Sequence, residues 1–131
     1  MAEPSGGRDP QPARVLVLGL DPHRVPGPWD PTPVADGIAA GKAKFEARGV
    51  AAAYCLVGLD GSDDVPAVIT QALGAHPWEC VVIGGGIRHD DALFEQVVNL
   101  VRRHAPGAAI AFNDSPADCL EAAERWIDLS Q

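Results

Sequence analysis

Four apolar runs of the chain are each followed at once by side chains able to do chemistry. Asp21, His23 and Arg24 follow RVLVLGL, and Asp60, Ser62, Asp63 and Asp64 follow VAAAYCLVGL. The run ECVVIG leads into Gly84, Gly85, Gly86, Arg88, His89 and Asp90, and AAIAFN ends on Asn113 before Asp114 and Ser115. An imidazole is the side chain most readily poised near neutral pH, and an aspartate beside it fixes its tautomer. His23 or His89, oriented by Asp21 or Asp60, would therefore form a general acid–base pair. The segment IGGGIRHDD adds a place for an anion: successive glycines let backbone N–H groups turn toward one point, and the Arg88 guanidinium offers a planar fork beside them. Asn113 could donate or accept toward the same ligand, or close a turn onto its own backbone. The types Asp21, His23, Asp60 and His89 would also suit a metal, but they show no diagnostic ligand spacing, so no metal is assigned.

These groups matter only if the fold brings them together, and the pattern of apolar residues says how. Residues 14–20, 50–59, 79–84 and 108–113 are apolar and rich in branched side chains, as strands covered on both faces are. Between them lie helical stripes. Thr32 as cap and Pro33 in the first turn open a helix to Arg48, with Val34, Ile38 and Phe45 inward, Gly41 at a close approach to the sheet, and Gly49 closing it. Asp63 or Asp64 caps a helix carrying Val65, Val68, Ile69, Ala72 and Leu73, which Pro77 brings to an end. Asp90 or Asp91 caps a helix over 92–104 with Phe94, Val97, Val98 and Val101 inward and Arg102, Arg103 and His104 at its C-terminal end, where the dipole favours positive charge. Ser115, Pro116 and Asp118 begin a last helix with Cys119, Ala123, Trp126 and Ile127 inward.

Strand-then-helix units with short connections imply parallel strands joined by right-handed crossovers. The expected fold is a flavodoxin-like, doubly wound three-layer α/β sandwich with a parallel sheet of four strands, a fifth being either missing or supplied by a partner subunit in a homodimer. In such sheets ligands sit beyond the carboxyl ends of the strands, where strand order reverses. All the chemical groups that follow the four apolar runs fall on that edge. The opposite edge offers Arg14, Gly49, Pro77, Trp78, Pro106 and Gly107, which is mostly turn chemistry. Gly19-Leu20-Asp21 and Gly58-Leu59-Asp60 repeat one another and read as two equivalent strand ends. Pro22, Pro26, Pro28, Pro31 and Pro33 stiffen the segment after the first strand, and Trp29 gives it an apolar face, suited to a wall over the cleft or to docking a second subunit.

Asp21-Pro22-His23 followed by Gly27 resembles the Asp-x-His-x-x-Gly loop of cobalamin-binding domains, which share this fold and size. The resemblance implies His23 as the lower cobalt ligand. The glycine falls one residue late, with Pro26 in its place, and the family's serine and paired-glycine landmarks have no counterpart after the second or third strand. The fold also resembles a response-regulator receiver, yet glycines stand where the phosphoacceptor aspartate belongs and no lysine ends the fourth strand. Flavodoxin itself needs a Thr/Ser-rich phosphate loop, which DPHRVPG does not provide.

Composition narrows the partners. Ten Lys and Arg against 18 Asp and Glu leave a net charge of -8, the wrong sign for a nucleic-acid backbone. No apolar run approaches a membrane span, and MAEPSGGRDPQPAR lacks an apolar signal core, so a cytoplasmic location is expected. Cys55, Cys80 and Cys119 form no C-x-x-C pair and read as buried apolar residues in a reducing compartment. Residues 1–12 read as a disordered tail, and residues 13–131 as one domain. The functional expectation is a small enzyme without an organic cofactor, an isomerase, hydrolase or lyase, acting by acid–base chemistry on a compact anionic carboxylate or phosphate. His23, His89, Asp21 and Asp60 would be catalytic, with Gly84, Gly85, Gly86, Arg88, Asn113 and Trp29 binding the substrate. The alternative is a non-catalytic module that binds a small ligand or a protein, of which a cobalamin domain is one variant.

Overall fold

The computed structural model describes residues 14–129. The expected N-terminal tail lies outside the described residues. The strands are β1 (Val15–Leu20), β2 (Ala52–Val57), β3 (Cys80–Ile83) and β4 (Ala109–Phe112), and they form one all-parallel sheet in the order β2-β1-β3-β4. The helices are α1 (Thr32–Arg48), α2 (Val65–Leu73), α3 (Gly85–Arg88), α4 (Asp91–His104) and α5 (Cys119–Glu124), with a 3-10 turn at Pro22–Arg24. Among the described residues, no helix is long and apolar enough to cross a membrane.

Alternation along the central strand sorts the core into two layers. Val15 and Val17 face α1 and α5, packing with Phe45, Val82, Cys119, Leu120 and Ala123. Leu16 and Leu18 face α2, α3 and α4, packing with Ile69, Leu73, Ile83, Ile87, Val97 and Val101. Both faces of the sheet are covered, which explains the unbroken apolar runs in the sequence. Order reverses between β1 and β3: the chain leaves β1 for β2 on one side and returns across β1 to β3 on the other. The four strands match the first four positions of the doubly wound order 2-1-3-4-5.

Several local expectations hold. Gly49 takes a left-handed φ of 75° at the end of α1, and the carboxylates of Asp64 and Asp90 cap α2 and α4 by accepting from the backbone N–H groups of Ala67 and Leu93. Three are corrected. Thr32 does not cap α1: Pro31 holds the cap position without a side-chain bond, and the Thr32 N–H donates to the Asp30 carboxylate. The last helix starts at Cys119, because the Asp118 carboxylate accepts from the backbone N–H groups of Asp114 and Ser115 and holds that segment as a turn. Trp126 faces out rather than in, 62% exposed, because α5 ends at Glu124 and the chain tightens there, the Trp126 N–H donating to the Ala123 carbonyl.

Candidate functional site

The face of the sheet that meets α1 is left open at its carboxyl edge by the residues that end the strands. Tyr54, Val17, Val82 and Ala111 stand side by side across β2, β1, β3 and β4. Two residues further along each chain, on the same face, come Leu56, Gly19, Gly84 and Asn113. The two central positions carry no side chain. A Cβ on Gly19 would lie 3.3 Å from Leu56 Cδ2, and one on Gly84 would lie 3.2 Å from the Leu18 carbonyl oxygen. The gap becomes a cavity of about 310 Å³ at the switch point between β1 and β3.

The walls come from separate segments. Val34 and Ile38, one helical turn apart on α1, face the gap, which is why they are only half-buried while Phe45 further along is fully covered. Pro22, Val25 and Trp29 from the proline-rich segment form its outer side, with the indole N–H of Trp29 donating to the Val25 carbonyl at 3.1 Å. Gly84, Gly85, Gly86 and His89 border it beyond β3, and Asn113, Ser115, Pro116 and Cys119 beyond β4. The lining is mostly carbon. His89, Asp114 and Ser115 are its exposed polar side chains, and Asn113, 5% exposed, supplies a buried amide.

The residues expected to carry chemistry separate into two groups. His89, Asn113, Trp29 and Gly84–Gly86 border the cavity; His23, Asp21, Asp60 and Arg88 do not. Asp21 meets His23 through the backbone, accepting from the His23 N–H at 3.0 Å, while its second oxygen accepts from Arg24 Nε at 2.9 Å. The Arg24 guanidinium, followed by the His23 N–H, holds the Asp21 carboxyl below its ordinary value. The His23 side chain is exposed. Asp60 accepts from the Ser62 hydroxyl at 2.5 Å and the Ser62 N–H at 3.0 Å, a local turn that also lowers its pKa. Gly84 to Arg88 form an N-cap and a helical turn rather than an open loop, and Arg88 reaches toward β4. Its guanidinium donates to the Ile83 carbonyl at 2.5 Å, the Asn113 carbonyl at 2.6 Å and Asn113 Oδ1 at 3.0 Å, and lies over the Phe112 ring at 5.2 Å. Among the described residues, no group of three His, Cys, Asp or Glu side chains is gathered closely enough to hold a metal ion.

Two residues at the cavity carry no functional signal in the sequence beyond strand or core. The Tyr54 hydroxyl is shut off from solvent without a hydrogen-bond partner among the described residues, and burial, with the Cys119 thiol adding to it, pushes its ionisation upward. Cys119 accepts from Asn113 Nδ2 at 3.4 Å, and burial raises its thiol pKa against that bond. The sequence signal was slight: a tyrosine in an otherwise apolar strand brings a polar tip that a covered sheet must accommodate. No family model matches the chain, and neither the curated proteins nor the solved structures give a match.

Proposed function

We propose that this chain binds a small, largely apolar, uncharged organic molecule at the carboxyl edge of its sheet. The supporting observation is the cavity of about 310 Å³, walled by β1, the proline-rich segment, α1, β2 and the segments after β3 and β4. Its volume lies at the lower end of the range for small-molecule sites, and a mostly apolar lining with a few convergent polar groups is their usual character. Its place at the strand-order reversal is where open α/β sheets take ligands. Among the described residues no lysine or arginine lines it, so a carboxylate or phosphate there would meet Asp114 with only the His89 imidazole to offset it. Binding is preferred to acid–base catalysis because His89 borders the cavity while His23 and Asp21 lie elsewhere, and Asp21 is already paired with Arg24.

The test is ligand-observed NMR with the bicyclic hydrocarbon indane and with indanecarboxylate, on the wild type and on Ile38→Trp, whose indole would fill the space between α1 and the strand ends. Indane is expected to bind the wild type, to lose binding in the variant, and to outcompete its carboxylate. Indane binding that survives Ile38→Trp, or stronger binding of the carboxylate, would refute the reading.

A further inference from the structure

Asn113 is the buried polar residue of the cavity wall, and the state of its amide is fixed by its neighbours. Arg88 Nη1 is a donor and stands 3.0 Å from one terminal atom of the Asn113 side chain. Two donors do not face each other at that distance, so the atom is the oxygen, and the amide nitrogen points the other way. That nitrogen carries two protons. One is directed at Cys119 Sγ, 3.4 Å away and a weak acceptor; the other has no partner among the described residues. A second bond, from Arg88 Nη2 to the Asn113 carbonyl at 2.6 Å, prevents the side chain from turning independently of the strand end. Arg88 therefore cannot be recruited to the ligand without releasing Asn113. It also draws electron density toward Oδ1, which makes the opposite N–H a stronger donor, since hydrogen bonds in a chain polarise one another.

We infer that the cavity selects a ligand bearing an uncharged carbonyl oxygen, which accepts from Asn113 Nδ2, and that Arg88 acts as the positioning residue for this contact. The inference rests on the binding reading above and adds the chemical class of the ligand. A buried N–H that finds only a thiol is costly to leave, and a site built around such a donor rejects molecules that lack the matching acceptor. The apolar walls accept a hydrocarbon body, and Asn113 sets which end points inward.

The experiment compares indanone with indane, the same bicyclic body with and without the carbonyl, on the wild type and on Asn113→Asp. The substitution keeps an oxygen facing Arg88 and is close to isosteric, yet it removes the donor. The wild type is expected to prefer indanone by roughly tenfold, the worth of one buried hydrogen bond, and Asn113→Asp to erase that preference while still binding indane. In Arg88→Met the preference should fall with indane affinity unchanged, a pattern that a merely structural role would not give. Equal binding of the two probes by the wild type, or a preference that survives Asn113→Asp, would overturn the inference and leave the cavity reading standing. Binding of neither probe would overturn both. If Arg88→Met does not fold, the Asn113→Asp comparison decides.

Discussion

Arg24 and Asp63, 39 residues apart in the chain, meet at 2.9 Å and fasten the segment after β1 to the segment after β2. The same guanidinium binds Asp21 at 2.9 Å and the Leu56 carbonyl at 3.2 Å, and the Leu59 N–H returns a bond to the Arg24 carbonyl. Asp63 also accepts from the Gly58 N–H at 2.8 Å. One side chain thus secures the near end of the proline-rich segment, while residues 25–31, including the cavity-lining Val25 and Trp29, bond among the described residues to one another and to the first turn of α1.

Arg24→Met should therefore loosen that segment before it affects the sheet. Amide hydrogen exchange is expected to accelerate at residues 21–30 and to stay slow in β1 and β3, because local opening follows the local loss of bonds. Equal acceleration throughout the chain would mean that Arg24 supports the whole fold. Unchanged exchange at 21–30 would mean that it supports nothing.

Acid should undo the bond between Arg24 and Asp21. Asp21 has a folded-state pKa below its unfolded value because it is bound to Arg24 and to the His23 N–H. For a depressed carboxyl the stabilisation is complete above the unfolded pKa of about 3.9 and is lost as pH falls through the lower folded value. The thermal midpoints of the wild type and Asp21→Asn should differ by a constant amount from about pH 7 to about pH 5 and converge below about pH 4. A gap that persists or widens in acid would contradict the assignment.

Much of this arrangement was legible in the residues. Branched apolar runs give strands, and Asp, Gly and Pro punctuate helices, because these signals act within a few residues of where they are read. The Gly19-Leu20-Asp21 and Gly58-Leu59-Asp60 echo shows where local reading stops. Gly19 lies within β1 opposite Leu56 and leaves the cavity open, whereas Gly58 lies past the end of β2, where an added Cβ would stand 2.9 Å from the Arg24 side chain. Identical tripeptides serve different needs because register decides their neighbours. Arg88 and Asn113 both read from their sequence positions as ligand contacts, but only a folded sheet shows that the first binds the second. The long side chain of Arg88 can satisfy a strand end as well as a substrate, and its sequence neighbours do not distinguish the two.

Gly41 offers a test of packing against helix propensity. It lies in the middle of α1, where alanine would ordinarily stabilise by about 1 kcal/mol. A Cβ there would lie 2.7 Å from the Pro116 carbonyl oxygen and 3.2 Å from the Tyr54 hydroxyl, and the first of these is backbone that must shift. Gly41→Ala is expected to destabilise by about 1–3 kcal/mol in urea denaturation despite the better propensity, the usual range for overpacking. Gly107→Ala, with nothing among the described residues within 4 Å of its Cβ, serves as the control and should be close to neutral. A stabilised Gly41→Ala would show that α1 does not approach the Pro116 segment as described.

The thiols report on the cavity wall from the inside. Cys80 and Cys119 are essentially without exposure, and burial raises both, Cys80 to about 11. The reactive species is the thiolate, so neither should react appreciably with iodoacetamide at about pH 8 while the protein is folded, and both should react once it is denatured. Cys119 has a second route to exposure, because it borders the cavity and leans on Asn113, whereas Cys80 sits beside Val15 at the start of the sheet. If Asn113→Asp disturbs only the polar contact, mass-spectrometric labelling should leave Cys80 protected and raise the Cys119 rate modestly at most. Rapid labelling of Cys119 in the folded wild type would place its sulfur in solvent and contradict the closed wall between β4 and α5.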